Sequence, residues 1–583
     1  MRAPGPGTGG FPAVRGRTSR IQGAWTAAAL VVSGATAAPG QVLTTSTVAT
    51  VGGANGLSTP AARHLLRMDP AGRAPTYLLA LQRDDALPDP GLGFYRSDDD
   101  GQSWSLMKII DGISAERQTA DVLKAGDDVA LVHSFDGSSI LPDAVLDPTR
   151  KAYFQWWRYD GAGGWTDRNE RVVVFAPTPG AAYHRAELAV DSSGRIWVQA
   201  FKRGTSACDP AADRRCAACW TVDNGDNYAN EMVVSVSTDG GRTFRPEQRL
   251  DTTLCRAGGR LISLGHKLLL LWNDYSENES GTRAVTRFML RDDQDPLASW
   301  GAPSQAFPDD PADGIFHGAA LSAVADGSGG LHLVYKDHNQ RRLWYRRFDG
   351  AKGSFGPRTL VDDSVDDWAL QPTTTLRGGE LYVFANHVLA AASYETRMWK
   401  LSKGLGPTLR IPLGADSAFH GYPSTPETLP AGARSLPYLF GRTPDENAPG
   451  VEVALRINIA ASVALTRPAS GSVISGSVAL AAEAEVSPGT SPIQTRFFVD
   501  GHPIGIAAAS QTALTWDTTA VANGGHELSA EVADASGNLA VSPPVRVEVR
   551  NSGTSGGCSS TAGVGPMLAV LLLVGLAGRR RSR

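Results

Sequence analysis

Seven times between residues 72 and 440 the chain repeats one short pattern, a strand-like apolar segment, a turn carrying glycine, and a second, strongly apolar run. The turn glycines are Gly72, Gly126, Gly194, Gly265, Gly329, Gly378 and Gly432. The runs after them are Tyr77–Leu81, Val129–Val132, Ile196–Ala200, Leu268–Trp272, Leu331–Tyr335, Leu381–Ala385 and Tyr438–Phe440. Successive glycines lie about 50 to 70 residues apart, the length of a four-stranded unit with variable loops. A small sheet with two apolar faces buries both only between neighbours of its own kind, so the repeat predicts an all-β chain with a six- or seven-bladed β-propeller over residues 41–458. A strand at 42–51 is expected to complete the last blade. A sandwich is the competing architecture, but nothing in a sandwich calls for this period over so long a stretch.

The chain has 583 residues, more than one ordinary domain holds, and a repeat is one way past that size. Hydrophobic residues make up 42% and charged residues 20%, with a net charge of −4. That balance points away from disorder and away from nucleic acid as a partner. The 64 glycines suit a chain that turns every few residues.

Both ends read as targeting segments. Residues 1–40 contain no acidic side chain, carry Arg15, Arg17 and Arg20, and run through apolar Ala24–Val32 to the small residues Ala35-Thr36-Ala37, the order of a signal peptide. A Gly/Pro-rich start upstream of the true initiator is the alternative. At the other end, a Gly/Ser linker over 551–561 contains Cys558, and residues 562–583 hold an apolar run followed by Arg579, Arg580, Arg581 and Arg583. The run is just long enough to span a bilayer, with the arginines left inside. This tail resembles the MYXO-CTERM sorting signal of surface proteins, which implies that Cys558 is an attachment point; a permanent single-span anchor is the other reading. Either way the protein is expected to be exported and held at the cell surface or outer membrane, or released outside the cell.

Two octapeptides carry a sharper signal. Ser97-Asp98-Asp99-Asp100-Gly101-Gln102-Ser103-Trp104 and Ser237-Thr238-Asp239-Gly240-Gly241-Arg242-Thr243-Phe244 both fit S-x-D-x-G-x-[ST]-[WF]. The carboxylate accepts from the amides of a tight turn, glycine takes a conformation other residues avoid, and the aromatic packs beneath. Looser copies lie at 159–165 and 348–355. The octapeptides resemble the Asp boxes of the sialidase (BNR-repeat) superfamily, and the likeness runs over about residues 59–458. It implies that Ser97, Asp99, Gly101, Trp104, Ser237, Asp239, Gly241 and Phe244 are structural staples, remote from the catalytic face.

The same resemblance supplies a candidate site. Arg63, Arg83 and Asp89 follow the order of a sialidase first blade, although His64-Leu65 stands where the family has Ile-Pro and Gln82 stands near the family's glutamate. By likeness, Arg63, Arg83 and Arg203 would bind substrate, since a planar guanidinium fork suits a sugar carboxylate. Asp89 would be the general acid, and Tyr422, in His420-Gly421-Tyr422-Pro423, the nucleophile activated by Glu187. This class uses tyrosine because a phenol does not add a second anion beside the substrate carboxylate. Arg256 and Arg397 are alternatives for a third arginine of the family's triad. No cofactor and no metal is implied.

Cys208, Cys216, Cys219 and Cys255 fall in one hydrophilic region, and in an exported protein two disulfides are favoured over zinc at Cys216-x-x-Cys219. From 459 to 550 the texture changes to short Val/Ala/Thr strands. Phrases such as Phe498-Val499-Asp500-Gly501 and Asn523-Gly524-Gly525-His526 resemble bacterial Ig-like modules. Three functions remain in view: a glycosidase cutting terminal acidic sugars, a non-catalytic propeller binding a glycan or protein, and a surface scaffold. A glycan or glycoconjugate is the expected partner; oligomeric state is not legible.

Overall fold

The computed structural model describes residues 43–551 apart from 52–56, 58–61, 84–90, 112–117, 136–150, 168–170, 176–181, 208–227, 252–258, 275–284, 311–313, 317–319, 338–341, 364–370, 391–392, 402–408, 417–418, 432, 434, 445–449, 459–461, 486–491, 509–512, 535–538 and 543. Both terminal segments, Asp89, all five cysteines and Arg256 lie outside the described residues. No described helix is long and apolar enough to cross a membrane.

The described residues form six propeller sheets, one of them nine-stranded and joining two blades through a parallel bridge between His184 and Phe135, so that seven blades stand around the ring, and a two-sheet sandwich follows. Blade one is Leu65–Met68, Thr76–Gln82, Leu92–Ser97 and Ser105–Asp111. Blade two begins with Gln118–Ala125, blade three with Ala182–Val190, blade four with Gly259–Ser263, blade five with Leu321–Ala325 and blade six with Pro372–Arg377. Each of these first strands pairs with a second strand across a glycine turn. Of the seven turn glycines, Gly72, Gly126, Gly194, Gly265, Gly329 and Gly378 all have positive φ, so a residue with a Cβ would be strained there; Gly432 is outside the described residues.

Blade seven is assembled from both ends of the ring. Ser435–Thr443 pairs with Gly450–Asn458, which in turn pairs with Leu43–Val51 from the start of the chain. The strand expected at 42–51 therefore does complete the last blade. Closure is visible in the packing, where seven apolar clusters each join two neighbouring blades. The cluster that shuts the ring brings Leu65, Tyr77, Leu79 and Leu81 of blade one against Val51, Leu439 and Ala454 of blade seven. Among the described residues, seven interfaces for seven blades cover both faces of every blade, the condition that makes so long a chain one ring.

The two octapeptides fold alike. Ser97 Oγ accepts from Gly101 N at 2.9 Å, while Asp99 accepts from the amides of Gln102 and Ser103 at 3.0 and 2.9 Å. Asp239 accepts from Arg242 N and Thr243 N at 3.0 Å, and from Thr243 Oγ1 at 2.6 Å. The Thr243 hydroxyl and amide hold the Asp239 carboxyl well below the usual range. Gly241 is irreplaceable for a second reason, since a Cβ there would come within 2.4 Å of the Phe154 ring. In the looser copies, Asp160 accepts from Ala162 N and Gly164 N, and Asp349 from Ala351 N and Lys352 N.

The described residues between 462 and 549 form an Ig-like β-sandwich. One sheet runs Ser462–Arg467, Ser477–Glu485, Ala513–Asp517; the other is built around Gly524–Asp534. Trp516, Leu480 and Val463 of the first pack on Phe497, Leu528, Val532 and Val547 of the second.

Candidate functional site

Strand direction sorts the connections. First-to-second-strand turns and the octapeptide turns between third and fourth strands emerge at one end of the ring; second-to-third connections and blade-to-blade links emerge at the other. Arg63 and Tyr422 precede or begin inner strands, and Arg83 and Arg203 follow or end second strands, so all four belong to the end opposite the octapeptides. Asp89 belongs to a second-to-third connection outside the described residues.

Inside the ring, five ionisable groups from five blades meet. Arg63 donates from Nε to Asp121 Oδ1 at 2.9 Å and from Nη2 to Asp121 Oδ2 at 2.5 Å, and its backbone N–H also reaches Asp121. Its Nη2 donates to the Leu188 carbonyl as well, and Nη1 lies 3.7 Å from Glu427. Arg260 donates to Glu427 Oε1 at 2.5 Å and to Asp121 at 3.4 Å, and lies 3.8 Å from Glu187. Glu187 accepts from Leu261 N at 3.0 Å. The side chains of Asp121, Glu187 and Arg260 are all at most 2% exposed, whereas Glu427 is 29% exposed and forms the open side of the cluster.

Local backbone explains how Glu187 gets there. A register shift between His184 and Glu187, with Arg185 at φ +50°, bulges the inner strand of blade three. A bulge re-aims the side chains that follow it, and here it presents Glu187 to Arg260 and Leu188 N–H to Asp121 Oδ2.

Burial would lower the Arg63 pKa, but the charges of Asp121 and Glu427 override it and hold the guanidinium above its ordinary value. Burial would raise Asp121; Arg63 and then Arg260 pull it below the carboxylate range instead. For Glu187 burial wins, with Asp121 adding to it against the pull of Arg260, and its pKa rises to about 8. Burial thus pushes the Glu187 carboxyl up while the arginines pull its neighbour Asp121 down, the divergence from which acid–base assignments are read.

Hydroxyls bridge the next two blade interfaces. Ser322 Oγ and Thr374 Oγ1 share a hydrogen bond of 2.8 Å between blades five and six, and Thr373 Oγ1 and Thr425 Oγ1 share one of 3.0 Å between blades six and seven.

Of the residues expected from sequence, the structure brings Arg63 and Glu187 into one cluster. Tyr422 is half-buried and packs against the cluster between blades one and seven, five residues before Glu427. Arg83 lies beside Tyr95 within blade one. Arg203 pairs with Ala182 and Asn230 on the second strand of blade three, Ile196–Ala207, and its side chain is outside the described residues. Arg397 sits on the third strand of blade six and pairs with Asp362 at 2.8 Å. The arginine that joins Arg63 is Arg260. Sequence reasoning passed over it, and over Asp121 and Glu427, although each stands five residues before a turn glycine, Gly265, Gly126 and Gly432.

Comparison with known proteins adds the following. Residues 462–530 match the family model described as a bacterial Ig domain. No curated protein matches the chain. Among solved structures, an α-L-arabinofuranosidase from Fusarium graminearum in complex with an iminosugar inhibitor is 10% identical, covering 70% of this chain and 97% of its own, with a TM-score of 0.35. The NanB sialidase from Streptococcus pneumoniae is 11% identical over 69% of this chain and 70% of its own, at 0.31. An Aleuria aurantia lectin in complex with α-methyl-L-fucoside is 11% identical over 59% and 94%, at 0.32. The propeller itself rests on the strand topology and ring closure above.

Proposed function

We propose that this is an exported surface protein whose propeller recognises glycans at the axial cluster, with the Ig-like module as its stalk. The observation that carries the reading is the meeting of Arg63, Asp121, Glu187, Arg260 and Glu427 on the ring axis. An apolar plug of the same volume would be at least as stable, because taking ions out of water costs about as much as their attraction returns. Five ionisable groups with one edge open to solvent are better accounted for by a ligand that hydrogen-bonds to them. Export and display are supported by the order of charge, apolar run and small residues over 1–40 and by the tail with Cys558, in which 562–583 acts as sorting signal or anchor. Cys208, Cys216, Cys219 and Cys255 are proposed to form two disulfides. The test is binding of the full chain to a printed array of free glycans. Retention of none, with the ring folded, would leave the scaffold reading.

Hydrolysis is a second reading, favoured by the meeting of two carboxyl groups, Glu187 and Asp121, with Arg63 and Arg260 in one cluster. Under it Tyr422 is the nucleophile and Asp89 the acid, with Arg63, Arg83 and Arg203 gripping the sugar. Release of a fluorescent leaving group from a sialoside, and its loss in Tyr422→Phe, would support it; unchanged turnover in that variant would remove Tyr422 from the role.

A further inference from the structure

We infer that the axial site takes an uncharged sugar residue and discriminates against sugar acids. This rests on the glycan reading above and deepens it. A site for a sugar carboxylate needs a guanidinium fork left free for the anion. Neither arginine offers one. Arg63 spends Nε and Nη2 on Asp121 and on the Leu188 carbonyl, and Arg260 spends Nη2 on Glu427 and Nη1 on Asp121.

The charge count agrees. Two guanidinium groups stand against the carboxyl groups of Asp121, Glu427 and Glu187, the last buried at 2% exposure beside Arg260. No positive charge is left over, and the solvent-facing member of the cluster is the carboxylate of Glu427, so an incoming anion meets negative charge first. What the axis does offer is suited to hydroxyls. Glu427 presents acceptor oxygens at the open edge, while Ser322, Thr373, Thr374 and Thr425 are already bonded to one another. A sugar hydroxyl can donate to Glu427 without displacing an ion pair. A carboxylate cannot bind Arg260 without evicting Glu427.

The experiment uses the full chain and matched pairs that differ only by the acid, methyl β-glucoside against methyl β-glucuronide and lactose against 3′-sialyllactose, by titration at neutral pH. The expected result is binding of a neutral member at least tenfold tighter than its acidic partner. Glu427→Gln, which removes the facing charge and leaves Arg260 Nη2 only a neutral acceptor, should narrow that ratio at least tenfold, while Glu427→Asp, which keeps the charge and reports on folding, should preserve it. Equal or tighter binding of the acidic members by the unaltered chain overturns the inference and leaves glycan recognition standing. Binding of no member of either pair, by a chain shown to be folded, removes both.

Discussion

Arg260→Met removes the cation that ties blades two, three and seven together at the axis while keeping a long, flexible side chain of similar bulk. Arg260 is 2% exposed and lies 2.5 Å from Glu427, 3.4 Å from Asp121 and 3.8 Å from Glu187. Orphaning a buried charge costs about 3–5 kcal/mol. The lower part of that range applies, because Asp121 keeps Arg63, Glu187 keeps the Leu261 amide and Glu427 can turn to solvent. A ring of roughly 400 residues unfolds with an entropy near 0.85 kcal/mol/K, from about 2.1 cal/mol/K per residue, so about 3–4 kcal/mol lowers the propeller transition by about 4 °C. Differential scanning calorimetry of the full chain measures this directly. Adding Glu427→Gln should return about 1–2 kcal/mol of the loss, the non-additivity of residues sharing a network. A single-variant shift below about 1 °C, or a double variant equal to the sum of its singles, would refute the account of a coupled axial cluster.

Three further outcomes follow from the same structure. Asp239→Ala strips one octapeptide turn of its acceptor and should lower the propeller transition modestly while leaving glycan affinity unchanged, because that turn lies at the other end of the ring; altered affinity would contradict that placement. Glu452 is fully buried in blade seven with neither carboxyl oxygen bonded among the described residues, and burial raises its pKa well above the ordinary value. Its stability contribution is therefore complete below the ordinary glutamate pKa and lost as pH rises toward the folded value. Glu452→Gln should match the parent near pH 4 and exceed it at pH 7, and a pH-independent difference would count against this. In the Ig-like module, His526 faces acceptors at both ring nitrogens, Asp500 Oδ2 at 2.6 Å and Ala522 O at 2.8 Å, which only the imidazolium satisfies together. Its pKa is raised, chiefly by the Asp500 hydrogen bond. That contribution is full below the ordinary histidine pKa and fades as pH climbs through the raised value, so the pH slope of the module's transition above neutrality should flatten in His526→Gln.

The ring was legible because its determinants are local. A glycine turn and the apolar run after it, as at Gly126 and Val129–Val132, identify a hairpin without knowledge of its neighbours, and the strand at 42–51 is alternating and terminal enough to be recognised as a closing strand. The axis was less legible because it is made of exceptions. Inner strands must place one polar residue inward amid apolar ones, and Asp121, Arg260 and Glu427 look like isolated charges until aligned on their turn glycines. Arg397 was a reasonable candidate by residue type, but a third strand lies too far out in its blade. The bulge at Arg185 has no signature in sequence, since arginine has no preference for positive φ. Glu187 was reached through a resemblance, while the contact that holds it, Leu261 N–H from the next blade, is a product of closure.

The claim at the centre of this account is that the ligand meets the protein on the ring axis, and carboxylate footprinting tests it most directly. The full chain is labelled with a water-soluble carbodiimide and an amine, with and without the tightest-binding sugar, and the modified residues are read by mass spectrometry. The account predicts that Glu427, the exposed carboxylate of the cluster, is labelled in the free protein and protected by the sugar, while Asp121 stays unlabelled throughout. Unchanged labelling of Glu427 with protection confined to the blade rims or the Ig-like module would contradict it.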